Sequence, residues 1–68
     1  MSDINVKLGK KIRSIRKKQG LSQEELSFES ETDYSYLNEI EAGKRNPSVK
    51  RLEKLAKALK VSVKELFE

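Results

Sequence analysis

The side chains able to do covalent or acid–base chemistry are few and of one kind. The chain has no histidine and no cysteine, so the usual general base, the thiol nucleophile and the nitrogen and sulfur ligands of zinc and redox metals are all missing. Its 11 Asp and Glu residues fall on helical faces in the manner of solvated charges. No glycine-rich loop offers a cradle for a transferred phosphate. An enzyme is not expected, and neither is a metal or a cofactor. What remains is recognition: amides and hydroxyls that pair with hydrogen-bonding edges, and cations that hold anions. Such residues include Ser22 and Gln23, then Tyr34, Ser35, Tyr36 and Asn38, then Lys44, Arg45 and Asn46.

Charge is divided along the chain in blocks. Fifteen Lys and Arg against 11 acids leave a net +4. Residues 1–21 carry net +6, residues 22–42 carry net −7 with no Lys or Arg, and residues 43–68 carry net +5. A basic balance marks either a nucleic-acid partner or a solvated surface, and charge alone does not choose between them.

The elements that must position these groups are short. A chain of 68 residues is one small domain, 1–68, and buries only about 60% of its unfolded surface. With disulfides and metals excluded, a partner subunit is the remaining way to supplement the core. Leu8, Ile12 and Ile15 recur at helical spacing, and Gly20 ends that helix. Ser22 and Glu25 have the spacing of a capping box, followed by Leu26 facing inward and Phe28 on another face. Asp33 is the next helix cap, with Leu37 and Ile40 buried and Gly43 closing the helix. After the loop Lys44–Pro47, Ser48 caps a helix whose apolar stripe is Val49, Leu52, Leu55, Ala56 and Leu59. Ser62 and Glu65 form a second capping box, leading to Leu66 and Phe67. No stretch alternates with period two. The expected fold is all-α, a compact bundle of five short helices.

No apolar run approaches the ~20 residues of a membrane span, and Met1–Asn5 lacks the basic-then-apolar order of a signal peptide. A cytoplasmic protein is expected, with no membrane partner and no small-molecule ligand.

The helices around residues 23–29 and 33–41 are joined by about three residues, the shape of a helix-turn-helix. Three blocks make the match specific: Leu21-Ser22-Gln23-Glu24-Glu25-Leu26; Ile40-Glu41-Ala42-Gly43-Lys44-Arg45-Asn46-Pro47-Ser48; and Leu52-Glu53-Lys54-Leu55-Ala56-Lys57-Ala58-Leu59. The chain resembles the lambda-repressor/Cro-like (XRE-type) helix-turn-helix family from Leu8 to Phe67. Phe28, Ser30, Asp33 and Tyr36 make it most similar to the restriction–modification controller proteins of that family.

The resemblance implies a sequence-specific transcriptional regulator that binds double-stranded DNA as a homodimer on a pseudo-palindromic operator. It implies that Tyr34, Ser35, Asn38 and Glu39 read base edges, and that Gln23, Tyr36, Lys44, Arg45 and Asn46 contact the DNA backbone. For Gln23 the physics concurs, since a helix N-terminus offers free N–H groups and a positive dipole end. Tyr36 has a second reading, packing on the preceding helix, and residues 44–46 could equally be a solvated turn. Arg16 and Glu41 match a buried structural ion pair. Val61, Val63, Leu66 and Phe67 form the expected dimer interface, or else complete the monomer core. RNA polymerase is a further candidate partner.

Two residues depart from the family pattern. Glu31 stands in the turn where glycine is usual. The third helix lacks Lys and Arg, leaving Glu39 as an exposed acid toward an anionic duplex, so affinity would come from flanking Lys10, Lys11, Arg13, Lys44, Arg45, Lys50 and Arg51. The acidic block 22–42 also admits a different function, a protein-interaction (antitoxin-like) module meeting a basic protein surface.

Overall fold

A computed structural model describes residues 3–68, so the signal-peptide reading at Met1 and Ser2 lies outside the described residues. Four α-helices run in order: α1 (Asp3–Lys18), α2 (Gln23–Glu29), α3 (Tyr34–Glu41) and α4 (Val49–Leu59). A single 3-10 turn follows at Lys64–Phe67. No strand occurs among the described residues. The bundle therefore has four α-helices, and the expected fifth is a 3-10 turn. Its bonds step back three residues, as in Leu66 N–H to the Val63 carbonyl at 3.0 Å. Four residues are too few to close more than one turn of α-helix.

Helix starts follow the expected caps. The Ser22 hydroxyl accepts from the Glu25 N–H at 3.0 Å, and the Glu25 carboxylate accepts from the Ser22 N–H at 2.9 Å. Hydrogen bonding to Ser22, from its N–H first and its hydroxyl second, holds the Glu25 carboxyl below its usual pKa. Ser48 caps α4 through the Arg51 N–H at 3.1 Å.

Helix ends follow one design. In each of the four, an N–H two or three residues past the end bonds back five residues: Leu21 to Arg16, Thr32 to Ser27, Lys44 to Glu39 and Val61 to Ala56. This closure needs one residue with positive φ. Gly20 and Gly43 supply it at 73° and 79°, whereas Glu31 and Lys60 adopt 55° and 60° without the freedom of glycine. The turn between α2 and α3 thus keeps the usual geometry despite Glu31.

Leu8, Ile12, Leu26, Leu37, Ile40, Leu52, Leu55, Ala56, Leu59 and Leu66 form the core. α1 packs on α3 and on the 3-10 turn, and α2 packs on α3 and α4. Val49, expected in the α4 stripe, is the first residue of that helix and is 69% exposed. Leu66 is 1% exposed. It seals the monomer core, which corrects its placement in a dimer interface. Among the described residues, no helix is long and apolar enough to cross a membrane.

Candidate nucleic-acid interface

α3 carries the residues expected to read bases, and three interactions set its position. At its start, Asp33 Oδ2 accepts from the Ser35 and Tyr36 N–H groups at 3.1 and 3.4 Å. At its end, Glu41 is gripped from α1: Arg16 Nε donates to Oε2 at 2.8 Å and a terminal nitrogen donates to Oε1 at 2.9 Å. The other terminal nitrogen of Arg16 donates to the Leu21 carbonyl at 2.8 Å, tying the start of α2 to the same pair. Both side chains are buried, and a bidentate pair of this kind fixes orientation as well as distance. Removing one partner of such a pair costs about 3–5 kcal/mol.

The third interaction is steric. Gly9 on α1 lies directly against the last turn of α3, and a Cβ there would stand 2.8 Å from the Glu41 carbonyl oxygen. Glycine is what lets the two backbones meet.

Tyr34, Ser35 and Asn38 are exposed on the outer face of α3, as are Lys44, Arg45 and Asn46 in the loop beyond it. Tyr34 also shares a shallow hollow with Ser22, Gln23, Arg13 and Arg16 at the start of α2. Most of the expected base-reading and backbone-contacting residues are thus accessible at the surface. Tyr36 is half-buried and packs against the core, with the Arg45 guanidinium carbon 5.7 Å from its ring centroid. The ring is partly buried against the core and partly accessible.

The expectation that Glu39 stands as an unpartnered acid is corrected. Arg45 Nε donates to Glu39 Oε1 at 3.0 Å, because the turn at Gly43 sends the loop back alongside α3. Asp33 is occupied by its capping bonds and Glu41 by Arg16. Each carboxylate on or beside α3 thus has a partner, and the helix does not present bare negative charge to a duplex.

Gln23 is half-buried rather than a free first-turn side chain. Its Nε2 donates to Glu41 Oε1 at 3.0 Å, and its Oε1 accepts from Asn38 Nδ2 at 3.4 Å. Arg51, grouped with the flanking cations from sequence, instead braces the helix-turn-helix. One of its terminal nitrogens donates to the Glu31 carbonyl at 3.0 Å and to Thr32 Oγ1 at 3.1 Å. Neither role was visible in the sequence, where these residues are far from their partners. Gly9 did leave a signal, a lone glycine inside an amphipathic helix, which often marks close backbone approach.

Of the expected dimer residues, Val61 and Val63 are half-buried against the core, and Phe67 is 53% exposed. Ile4, 62% exposed and absent from the sequence expectation, lines a groove together with Phe67. Among the described residues no cluster of acids could hold a metal ion, and no buried side-chain polar atom lacks a hydrogen-bond partner.

Two short helices joined by a tight turn, the second tied to α1 by a buried ion pair and carrying a polar outer face, define a helix-turn-helix protein. Residues 12–66 match the family model described as Helix-turn-helix, and the chain belongs to that family, in its XRE-type branch. It is 41% identical over 68 residues to the control protein C.MunI of a Mycoplasma species, covering 98% of this chain and 92% of that protein. The crystal structure of the restriction–modification controller protein C.AhdI from Aeromonas hydrophila superposes with a TM-score of 0.91 at 46% identity, over 93% of this chain and 96% of that one. The structure of SinR, a master regulator for biofilm formation, in complex with DNA superposes with a TM-score of 0.86 at 39% identity, over 90% and 98% of the two chains.

Proposed function

We propose that this chain is a sequence-specific, double-stranded-DNA-binding transcriptional regulator of the controller-protein kind, acting as a homodimer on a pseudo-palindromic operator. The observation that carries this reading is the outer face of α3. Tyr34, Ser35 and Asn38 are exposed there, beside the exposed Lys44, Arg45 and Asn46, on a helix whose acids are all partnered. Amides and hydroxyls on such a helix suit base edges in the major groove, and the adjoining cations suit phosphates. The two copies would associate through Phe67 with the accessible parts of Val61 and Val63, setting half-sites about 34–36 Å apart.

Selection from a random duplex pool at about 50 mM salt tests this, since phosphate contacts are strongest at low salt. The expected result is an enriched palindrome whose binding weakens steeply toward 200 mM salt. A monomer in sedimentation at tens of micromolar would remove the dimer from the proposal.

A second reading, the protein-interaction module, is favoured by one observation. Phe28 is 85% exposed and shares a surface hollow with Glu29, Glu31 and Asp33. Failure of the folded protein to enrich any duplex would move the function to that acidic, aromatic surface.

A further inference from the structure

We propose that Gln23 is a specificity-determining residue: it sets the amide orientation of Asn38, and so determines which hydrogen-bonding pattern Asn38 presents to a base. This inference rests on the DNA-binding reading above. It differs from the phosphate-holding role expected of Gln23, which would be blind to sequence.

The ordering begins at the buried pair. Glu41 is bound through both oxygens by Arg16, and the carboxylate of an ion pair can only accept hydrogen bonds. The end of the Gln23 amide that faces Glu41 must therefore be its NH2, and Nε2 stands 3.0 Å from Oε1. The Gln23 carbonyl oxygen is then turned toward Asn38, where it requires a donor. Asn38 Nδ2 supplies one at 3.4 Å. Had Asn38 the opposite orientation, two amide oxygens would face each other. One carboxylate thus sets the order of two amides, each of which could otherwise flip.

The consequence lies at the exposed end. Asn38 has two N–H groups and an oxygen, and one N–H is engaged by Gln23. An acceptor and a donor remain side by side at an exposed position. That pair matches N6 and N7 of adenine in the major groove, a contact that discriminates roughly 5- to 150-fold against the wrong base. Without Gln23, the Asn38 amide turns freely and can present two donors, which suits guanine as well.

The test uses the full chain and the duplex enriched by the wild type. Wild type, Gln23→Ala, Asn38→Ala and the double variant are titrated against that duplex and against its three base-pair changes at the position where Asn38→Ala loses preference. Gln23→Ala is expected to lose most of the adenine preference there, and the double variant to discriminate no worse than Asn38→Ala alone. If Gln23→Ala weakens all four duplexes by one factor and keeps the wild-type ratio, the inference is overturned and Gln23 is a backbone contact only. If Asn38→Ala loses preference at no position, the base-reading role falls too. Failure of the DNA-binding reading is visible earlier, as a wild type that enriches nothing, and it overturns the inference with it.

A spectrum of the free protein tests the ordering without DNA. Gln23→Ala should shift the side-chain NH2 resonances of Asn38, and unchanged resonances overturn the proposal. Should Gln23→Ala fail to fold, Gln23→Glu keeps the volume while opposing Glu41 with like charge, and it should lose the same preference.

Discussion

Arg45, in the loop after α3, closes on Glu39, near the middle of that helix, with Nε 3.0 Å from Oε1. Both side chains remain about half exposed, at 54% and 41%, so the pair adds at most about 1 kcal/mol to stability. Its importance is electrostatic and local. Arg45 supplies a cation for a phosphate and cancels a carboxylate that would repel one. Arg45→Ala removes both effects, whereas Lys44→Ala removes a cation alone. Duplex binding should weaken about 3- to 5-fold more for Arg45→Ala, the size of one unit repulsion across roughly 5 Å of water. Adding Glu39→Gln to Arg45→Ala should recover that difference. Equal losses for the two alanine variants in a binding titration would show that Glu39 has no such effect.

Gly9 controls the distance between α1 and α3. A Cβ there meets backbone, not a flexible side chain: the Glu41 carbonyl oxygen at 2.8 Å and the Ile40 carbonyl oxygen still nearer. Overpacking at such a contact costs about 1–3 kcal/mol. Gly9→Ala should lower the thermal midpoint by that equivalent and displace α3, weakening DNA binding beyond what the stability loss explains. An alanine variant with an unaltered midpoint would mean that α1 and α3 can separate freely.

Glu31 and Lys60 hold positive φ where the other two helix ends use glycine. A side chain in this conformation costs about 1 kcal/mol. Glu31→Gly also removes the exposed ion pair with Lys54 at 3.4 Å, a small loss. Each glycine variant should therefore raise stability, by about 0.5–1 kcal/mol, with the larger gain at Lys60. Denaturant midpoints decide the matter, and a fall at both positions would contradict the strain account.

Glu25 is more acidic folded than unfolded, through its bonds to the Ser22 N–H and hydroxyl. Its carboxylate therefore stabilises the fold fully above the unfolded-state pKa. That contribution is lost as pH falls through the folded-state value, below the ordinary carboxylate range. Glu25→Gln keeps a capping oxygen but no charge. The variant should sit below wild type at pH 7 in urea midpoints, with the difference shrinking as pH falls into the acid range. A constant difference across that range would exclude the charge of Glu25 as the cause.

Local signals carried far in this chain. The caps at Ser22, Asp33 and Ser48 and the stops at Gly20 and Gly43 were legible because each depends on residues within a turn or so of one another. The core positions Leu26, Leu37, Ile40, Leu52, Leu55 and Leu59 followed from helical periodicity for the same reason. Lys64–Phe67, expected as a short helix, is a 3-10 turn, because a capping box marks where a helix begins, not how far it continues.

Local patterns along the chain specify an all-α bundle with a helix-turn-helix, and which residue types could face a duplex. Tertiary structure decided how those residues are used. Gln23 bridges Glu41 and Asn38, partners 18 and 15 residues away. Arg51 reaches 20 residues back to brace the turn at Glu31, and Leu66 closes the core instead of facing a second copy. The physical reason is the range of the interactions. Caps and periodicity act within a turn or two of helix, whereas a hydrogen bond between helices exists only after packing brings distant side chains within about 3 Å.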